Sequence, residues 1–418
     1  MKIAIKKGFW LSNDFLIFMT LVTSMSFRDI PIISVYGKLL FPIVLLYKYI
    51  KSHKVSLPVY KAKVYGYYFA FFVLCMCSVL WAIKPDYVLS KCFVLLRLYF
   101  TVFAIGCTVN CSEDVDRCLK LLHYAGIVLF VRLFLNTPLE SWEAAITGDY
   151  DISSSQGRIG ATVGYHPNEL GAIILLLLLS SLYFQSKSKK SRMYWIAWDV
   201  IICFVLLFTK SRLSLLLAVV GVALYIIISQ HIAYKRVMLI FVGVLLLFVA
   251  WYSIFNIPIL YELIGFRFAA FMGDSSVQDA SSLTRIKFLS YAIQLFVGSP
   301  LVGVGIDNFK HYVYSFQNAW AEVHSHSNWG ELLADTGVIG ILLYYIPYFS
   351  TIVILAKKIN GCYGVSRKRL ALFLVFMVIT VIGDIQKLSY DTFEVFFPSM
   401  LAFFVRGYSI TENTKKAI

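Results

Sequence analysis

Two histidines one residue apart, His324 and His326, open a stretch that turns from polar to apolar within a few residues: AEVHSHSNWGELLADTGVIGILLYY, 321–345. An imidazole titrates at about pH 6.5, so a histidine placed here can take a proton from a hydroxyl. Glu322, His324 and His326 form an acid–histidine group, but without a recognised ligand spacing, and no metal is expected. If the segment is helical from His326, its spacing to Gly330, Leu333 and Gly337 puts all four on one face. Gly330, Gly337 and Gly340 would then leave that helix small where another packs against it.

Cations supply the second half of a possible chemistry. Arg158 lies in GRIGATVGYHPNELG, Lys210 and Arg212 lie in FTKSRLSLLLA, and Arg267 and Arg285 precede the histidines. Guanidinium forks bind phosphate oxygens bidentately. A diphosphate leaving group with a sugar hydroxyl as nucleophile would use both the arginines and the histidine. The plainer alternative is that an arginine or lysine at a membrane edge snorkels to lipid phosphate. Arg267, Lys210, Lys38 and Arg132 read that way, whereas Arg97 lies deeper. Asp384 and Glu394 flank the last outer turn. No HExxH, DxD, Walker loop or triad spacing occurs.

The elements that must position these groups are membrane spans. The 418 residues are 59% hydrophobic and 15% charged, against about 25% charged in an average soluble domain. Mean hydropathy is +0.75. The net charge of +15 fits the lysine and arginine bias of cytoplasmic loops and does not indicate nucleic acid. A span needs about 20 apolar residues, which gives about twelve. They are 12–27, 31–50, 64–82, 89–108, 118–136, 165–185, 193–209, 212–229, 236–254, 337–356, 370–387 and 391–406. The first of these reads as a span and not as a cleaved signal peptide.

With both termini cytoplasmic, the basic clusters around Lys51, Lys187, Lys235, Lys358 and Lys415 share one side. One integral membrane domain over 1–418 is expected, with a first outer loop at 137–164 and a large one at 255–336 carrying the site. Within the latter, LTRIKFLSYAIQLF (283–296) shows Ile286, Leu289, Ile293 and Phe296 on one helical face. It should lie against the bundle or in the interface. The eight cysteines form no framework and read as small buried hydrophobes.

Four patches resemble the O-antigen ligase and O-antigen or capsule polymerase superfamily of bacterial membrane glycosyltransferases. RIGATVGYHPNELGAIILLLL (158–178) resembles its Arg, Gly, Asn-Pro-Asn segment, with His166 in place of the first Asn. TKSRLSLL (209–216) resembles its Ser-Arg at a span start. TRIKFLSYAIQLFVGSPLVGVGIDNF (284–309) and HSNWGELLADTGVIGILLYY (326–345) resemble its Arg-helix-Gly-x-Gly and His blocks. The patches run in order over 158–345, while the first five spans and the last two match in hydropathy only.

The resemblance implies an all-α polytopic bundle with a large helical outer loop, of GT-C-like architecture. It also implies metal-independent, inverting transfer from a glycan on undecaprenyl diphosphate, with no cofactor. Carried over by position, His326 is the general base and His324 the alternate. Arg158, Arg212 and Arg285 hold the diphosphate. Asn168, Gly303, Gly305 and Asp335 shape the site. His-Ser-Asn followed by Leu-Tyr-Tyr, and Ser389-Tyr390 near the last span, favour a polymerase of lipid-linked repeat units over a ligase acting on lipid A–core or another acceptor. Membrane lipids and a chain-length regulator are the further partners expected, in a bacterial inner membrane with the site on its outer face. A lipid-linked oligosaccharide flippase is the reading from another class. It predicts internal repeats, which the sequence lacks.

Overall fold

A computed structural model describes residues 12–51, 59–147, 159–187, 190–209, 211–257, 280–317 and 321–407. Fifteen α-helices lie among the described residues. In order they are α1 (Asn13–Ser26), α2 (Pro31–Lys51), α3 (Val59–Cys77), α4 (Pro85–Thr108), α5 (Ser112–Asn136), α6 (Leu139–Thr147), α7 (Pro167–Lys187), α8 (Arg192–Phe208), α9 (Arg212–Ser229), α10 (Ala233–Asn256), α11 (Ala280–Gly298), α12 (Phe309–Phe316), α13 (Asn328–Ile359), α14 (Gly364–Gly383) and α15 (Phe393–Val405). Each of the twelve apolar stretches falls on a helix. Seven helical stretches are long and apolar enough to cross a membrane by length and composition: those over α2, α3, α4, α5, α7, α9 and α13. With 14 and 17 residues, α1 and α8 are shorter than the roughly 20 that a bilayer core needs.

Hydroxyl and proline punctuation starts these helices. Ser12 accepts Phe15 N–H at 3.1 Å, Ser211 accepts Ser214 N–H at 3.3 Å, and Ser327 accepts Gly330 N–H at 3.2 Å. Pro31, Pro85 and Pro167 occupy first-turn positions, where no backbone donor is missed. α15 is apolar apart from Glu394 and Ser399 and is buried along its whole length, as a central helix must be. It touches α1, α3, α4, α5, α7, α13 and α14.

The basic ends of several helices meet at one end of the bundle. Arg369 at the start of α14 grips Asp116 of α5 through Nε and Nη2 at 3.0 and 2.9 Å. Lys187, ending α7, pairs with the same carboxylate. Arg367 donates to the carbonyls of Ile228 and Ile359, the ends of α9 and α13, at 3.0 and 2.8 Å. The starts of α7, α9 and α13 therefore lie at the opposite end.

Two sequence expectations change in the tertiary structure. α13 begins after His326 and is broken at Gly337 (φ 62°, ψ −164°), so His326, Gly330, Leu333 and Gly337 do not share a continuous helical face. The break is built by 300–305, which replaces the missing helical bonds. Val304 and Gly305 N–H donate to the carbonyls of Ala334 and Asp335, both at 2.9 Å. Val338 and Ile339 N–H donate to Pro300 and Leu301, at 2.9 and 3.2 Å. These four bonds replace helical bonds lost at the kink. On α11, Phe288 and Ala292 pack inward while Ile286, Leu289 and Ile293 are exposed. Gly330 does face a helix: a Cβ there would meet Leu289 and Ala292 of α11 at 3.4 and 3.5 Å.

Candidate active site

His326 sits on a bracket of hydrogen bonds just ahead of α13. Ser325 N–H donates to Glu331 Oε2 at 2.7 Å, and Ser325 Oγ donates to the Ser327 carbonyl at 2.7 Å. The bracket holds His326 at φ 58°, a left-handed conformation uncommon for a residue with a side chain and common at functional positions. The residue is exposed, with its ring 6.5 Å from that of His166 and 6.1 Å from Phe288. The surrounding protein still desolvates the imidazole, and Arg285 repels its proton. Both hold its pKa below the ordinary histidine value, with burial the larger cause.

Three helix starts converge here. His166 precedes α7, and its Nδ1 accepts Asn168 N–H at 3.3 Å. Asn168 Oδ1 accepts Ser211 Oγ at 2.7 Å, which ties α7 to the start of α9. Arg212 is the next residue, so its backbone lies at that junction. Arg285, on α11, donates to Gln386 Oε1 at 3.2 Å in the turn after α14. The structure therefore joins the neighbourhoods of His326, Asn168, Arg212 and Arg285. Arg158, Lys210 and Arg267 lie outside the described residues.

His324 has a different environment. Its Nδ1 lies 2.6 Å from Glu331 Oε1, and Glu331 is fully buried. Burial opposes the imidazolium, but Glu331 outweighs it and the pKa stands above the ordinary value. Glu322 turns away to Tyr87 Oη at 2.7 Å and His311 Nδ1 at 3.3 Å, so the acid–histidine group of the sequence is not a structural unit. Instead Asp307, His324 and Glu331 place one ligand atom each within 4.8 Å of one another. One histidine with two carboxylates suits a divalent cation. Asp307 already faces Lys91 at 3.2 Å and Lys310 at 2.6 Å, so lysine ammoniums supply the positive charge there.

Gly303 and Gly305 pack directly against Asp335 of α13. Gly303 and Gly305 have φ of 66° and 104°, and a Cβ on Gly303 would lie 2.3 Å from the Asp335 carbonyl carbon. Asp335 accepts Asp307 and Phe309 N–H at 2.7 and 2.8 Å. Asn328 fastens α13 to the last turn. Its Oδ1 accepts the N–H groups of Ser389 and Tyr390, both at 2.9 Å, and its Nδ2 donates to Tyr345 Oη at 2.9 Å. Sequence reading missed Glu331, Asp307 and Asn328. The available signal was the cost of Glu331 and Asp335 four residues apart at the head of an apolar helix.

Arg132 is also more than a snorkelling residue: it grips both oxygens of Asp29, at 2.8 and 2.9 Å. Near Asn168, the space between α7, α9, α14 and α15 encloses only about 20 Å³, room for roughly one water.

The architecture and the helix ends define an all-helical integral membrane protein with a polar, cationic and imidazole-bearing cluster at one end of the bundle. Residues 197–345 match the family model described as O-antigen ligase. That segment is consistent with the O-antigen ligase and polymerase superfamily, and it contains Arg212, Arg285, Gly303, Gly305, His324, His326 and Asp335. No curated protein matches the chain.

Proposed function

We propose that the chain polymerises lipid-linked polysaccharide repeat units, as in O-antigen or capsule synthesis, at the outer face of a bacterial inner membrane. The observation that carries this reading is the placement of His326, exposed and held at φ 58° with its ring 6.5 Å from that of His166, within electrostatic range of Arg285, which biases the imidazole toward its neutral form. A base must be neutral to accept a proton, and the nearby cation suits an anionic leaving group. The acceptor sugar O–H loses its proton to the His326 imidazole as its oxygen attacks the anomeric carbon of the donor. The bond from that carbon to the diphosphate oxygen breaks with inversion, and undecaprenyl diphosphate leaves with the electron pair. Arg212, Arg285 and Arg158 hold the diphosphate, and their charge performs the role a metal would have. His324, held by Glu331, is the alternate base. Asn168, Gly303, Gly305 and Asp335 keep the walls in place. The basic bundle end faces the cytoplasm, with both termini, and a chain-length regulator is an expected partner.

The match to the O-antigen ligase model favours a second reading, transfer of a finished glycan to lipid A–core or another acceptor. Purified protein given only lipid-linked repeats separates the two. A ladder of lengthened glycans supports the polymerase. A single product that appears only with lipid A–core supports the ligase. Transbilayer movement of the lipid in proteoliposomes with no new glycosidic bond would overturn both in favour of a flippase.

A further inference from the structure

Cations at the basic end of the bundle are answered in different ways. Arg369 and Lys187 meet Asp116, and buried Lys61 donates to the carbonyls of Gly106 and Val109. Lys63, two residues on and exposed, has no hydrogen bond or ion pair among the described residues. Arg406, just past α15, donates through Nη1 to the hydroxyls of Ser350 and Thr351 of α13, at 2.8 and 3.0 Å. A guanidinium has five N–H donors. Those on Nε and Nη2 have no acceptor among the described residues.

Lys63 and Arg406 line one open cleft. It lies between α3, α13 and the end of α15, is lined by Tyr60, Lys63, Ile354, Arg406 and Gly407, and has a volume of about 400 Å³. Small-molecule sites span about 300–1,000 Å³. The packing fixes its shape. Ser350 and Thr351 hold the guanidinium, Lys358 donates to the Arg406 carbonyl, and a Cβ on Gly407 would strike the Tyr60 ring. None of the lining residues is acidic, so the two charges have no counter-ion within the cleft. A source of one lies at the same depth. Lys63 and Ile354 sit about one turn inside the ends of the candidate spans Tyr60–Leu80 and Asn328–Ile359, the level of lipid headgroups. Tyr67, one turn along α3 on the stripe of Lys63, is exposed and within electrostatic range of Arg406, as suits an interfacial aromatic.

We propose that this cleft binds the phosphate of an anionic phospholipid: the Arg406 fork on two phosphate oxygens, the Lys63 ammonium beside them, and the acyl chains left in the bilayer. An anionic headgroup answers the two cations, whereas a zwitterionic one brings a positive charge of its own. The site lies at the opposite end of the bundle from His326 and does not rest on the polymerase reading. The test uses full-length protein in neutral detergent, with retained lipid measured by native mass spectrometry. Phosphatidylglycerol should be retained in preference to phosphatidylcholine, and excess inorganic phosphate should not displace it. Lys63→Glu, at an exposed residue with no bond to lose, should weaken retention of phosphatidylglycerol about tenfold or more. Arg406→Ala should weaken it comparably, while Arg406→Lys, a point charge without the fork, should keep part of it. Lys51→Ala, at an exposed lysine ending α2 outside the cleft, should leave retention unchanged. Equal retention of the two lipids, unchanged retention in both Lys63→Glu and Arg406→Ala, or an equal loss in Lys51→Ala would overturn the site. Displacement by inorganic phosphate would overturn the lipid as its ligand.

Discussion

His324 Nδ1 and Glu331 Oε1 stand 2.6 Å apart, seven residues apart in sequence, and this contact separates the roles of the two histidines. It fixes His324 as a donor at Nδ1 and biases it toward the charged form. His326, two residues on, has no such carboxylate against its ring among the described residues and is biased toward the neutral form. A general base needs the neutral form, so the proposed transfer takes His326 as its base.

Replacing His326 with Ala should lower glycan formation by about 10²–10⁴-fold, the usual worth of a positioned base. His324→Ala should cost less. Product ladders from purified protein check both, with the melting temperature of His326→Ala expected to stay close to that of the parent because the residue is exposed.

The acid limb of the pH profile of transfer should lie below the ordinary histidine value of about 6.5, because desolvation of the imidazole by the surrounding protein and the charge of Arg285 hold the proton off His326. Arg285→Ala removes one repelling charge. The apparent pKa of the acid limb should therefore rise toward that value, alongside weaker donor binding. Rates measured across about pH 4.5–8 on the two proteins test the sign.

Glu331→Gln removes the partner that raises the His324 pKa. The stabilisation from that pair is complete below about pH 6.5 and fades as pH rises through the raised folded-state pKa. The parent should thus lose thermal stability relative to the variant as pH rises through that window. At pH 6 the variant should be less stable by about 1–3 kcal/mol, discounted because His324 is one-third exposed. Thermal unfolding at several pH values measures it.

Gly337→Ala should destabilise through the backbone alone by about 1–3 kcal/mol, since φ 62° and ψ −164° belong to a region open essentially to glycine. Its Cβ would also lie 2.4 Å from the Leu301 carbonyl carbon, which nothing flexible can relieve. A lowered melting temperature, with transfer lost in parallel, is the expected result.

Asn328→Ala should leave the Ser389 and Tyr390 N–H groups without their buried acceptor. Each lost partner costs about 1–3 kcal/mol. The expected result is a lower melting temperature and faster hydrogen exchange confined to 384–392 and the start of α13.

The sequence by itself determined where the helices lie. Hydropathy is a local property, a span is a run of apolar residues, and each of the twelve runs is helical. It also marked the polar residues that needed a reason, His326 and Arg285 among them, because charge in a membrane is costly wherever it falls. Only the tertiary structure decided how those residues are used. Gly337 reads in the sequence as a small residue inside a helix, yet it breaks that helix because 300–305 supplies the hydrogen bonds the break requires. Glu331 reads as an ordinary helix residue, yet it holds His324 and Ser325. Asn328, next to the expected motif, clamps a turn some sixty residues away. Such pairings depend on which chain ends the packing brings together, and spacing along one strand of sequence carries no record of that distance.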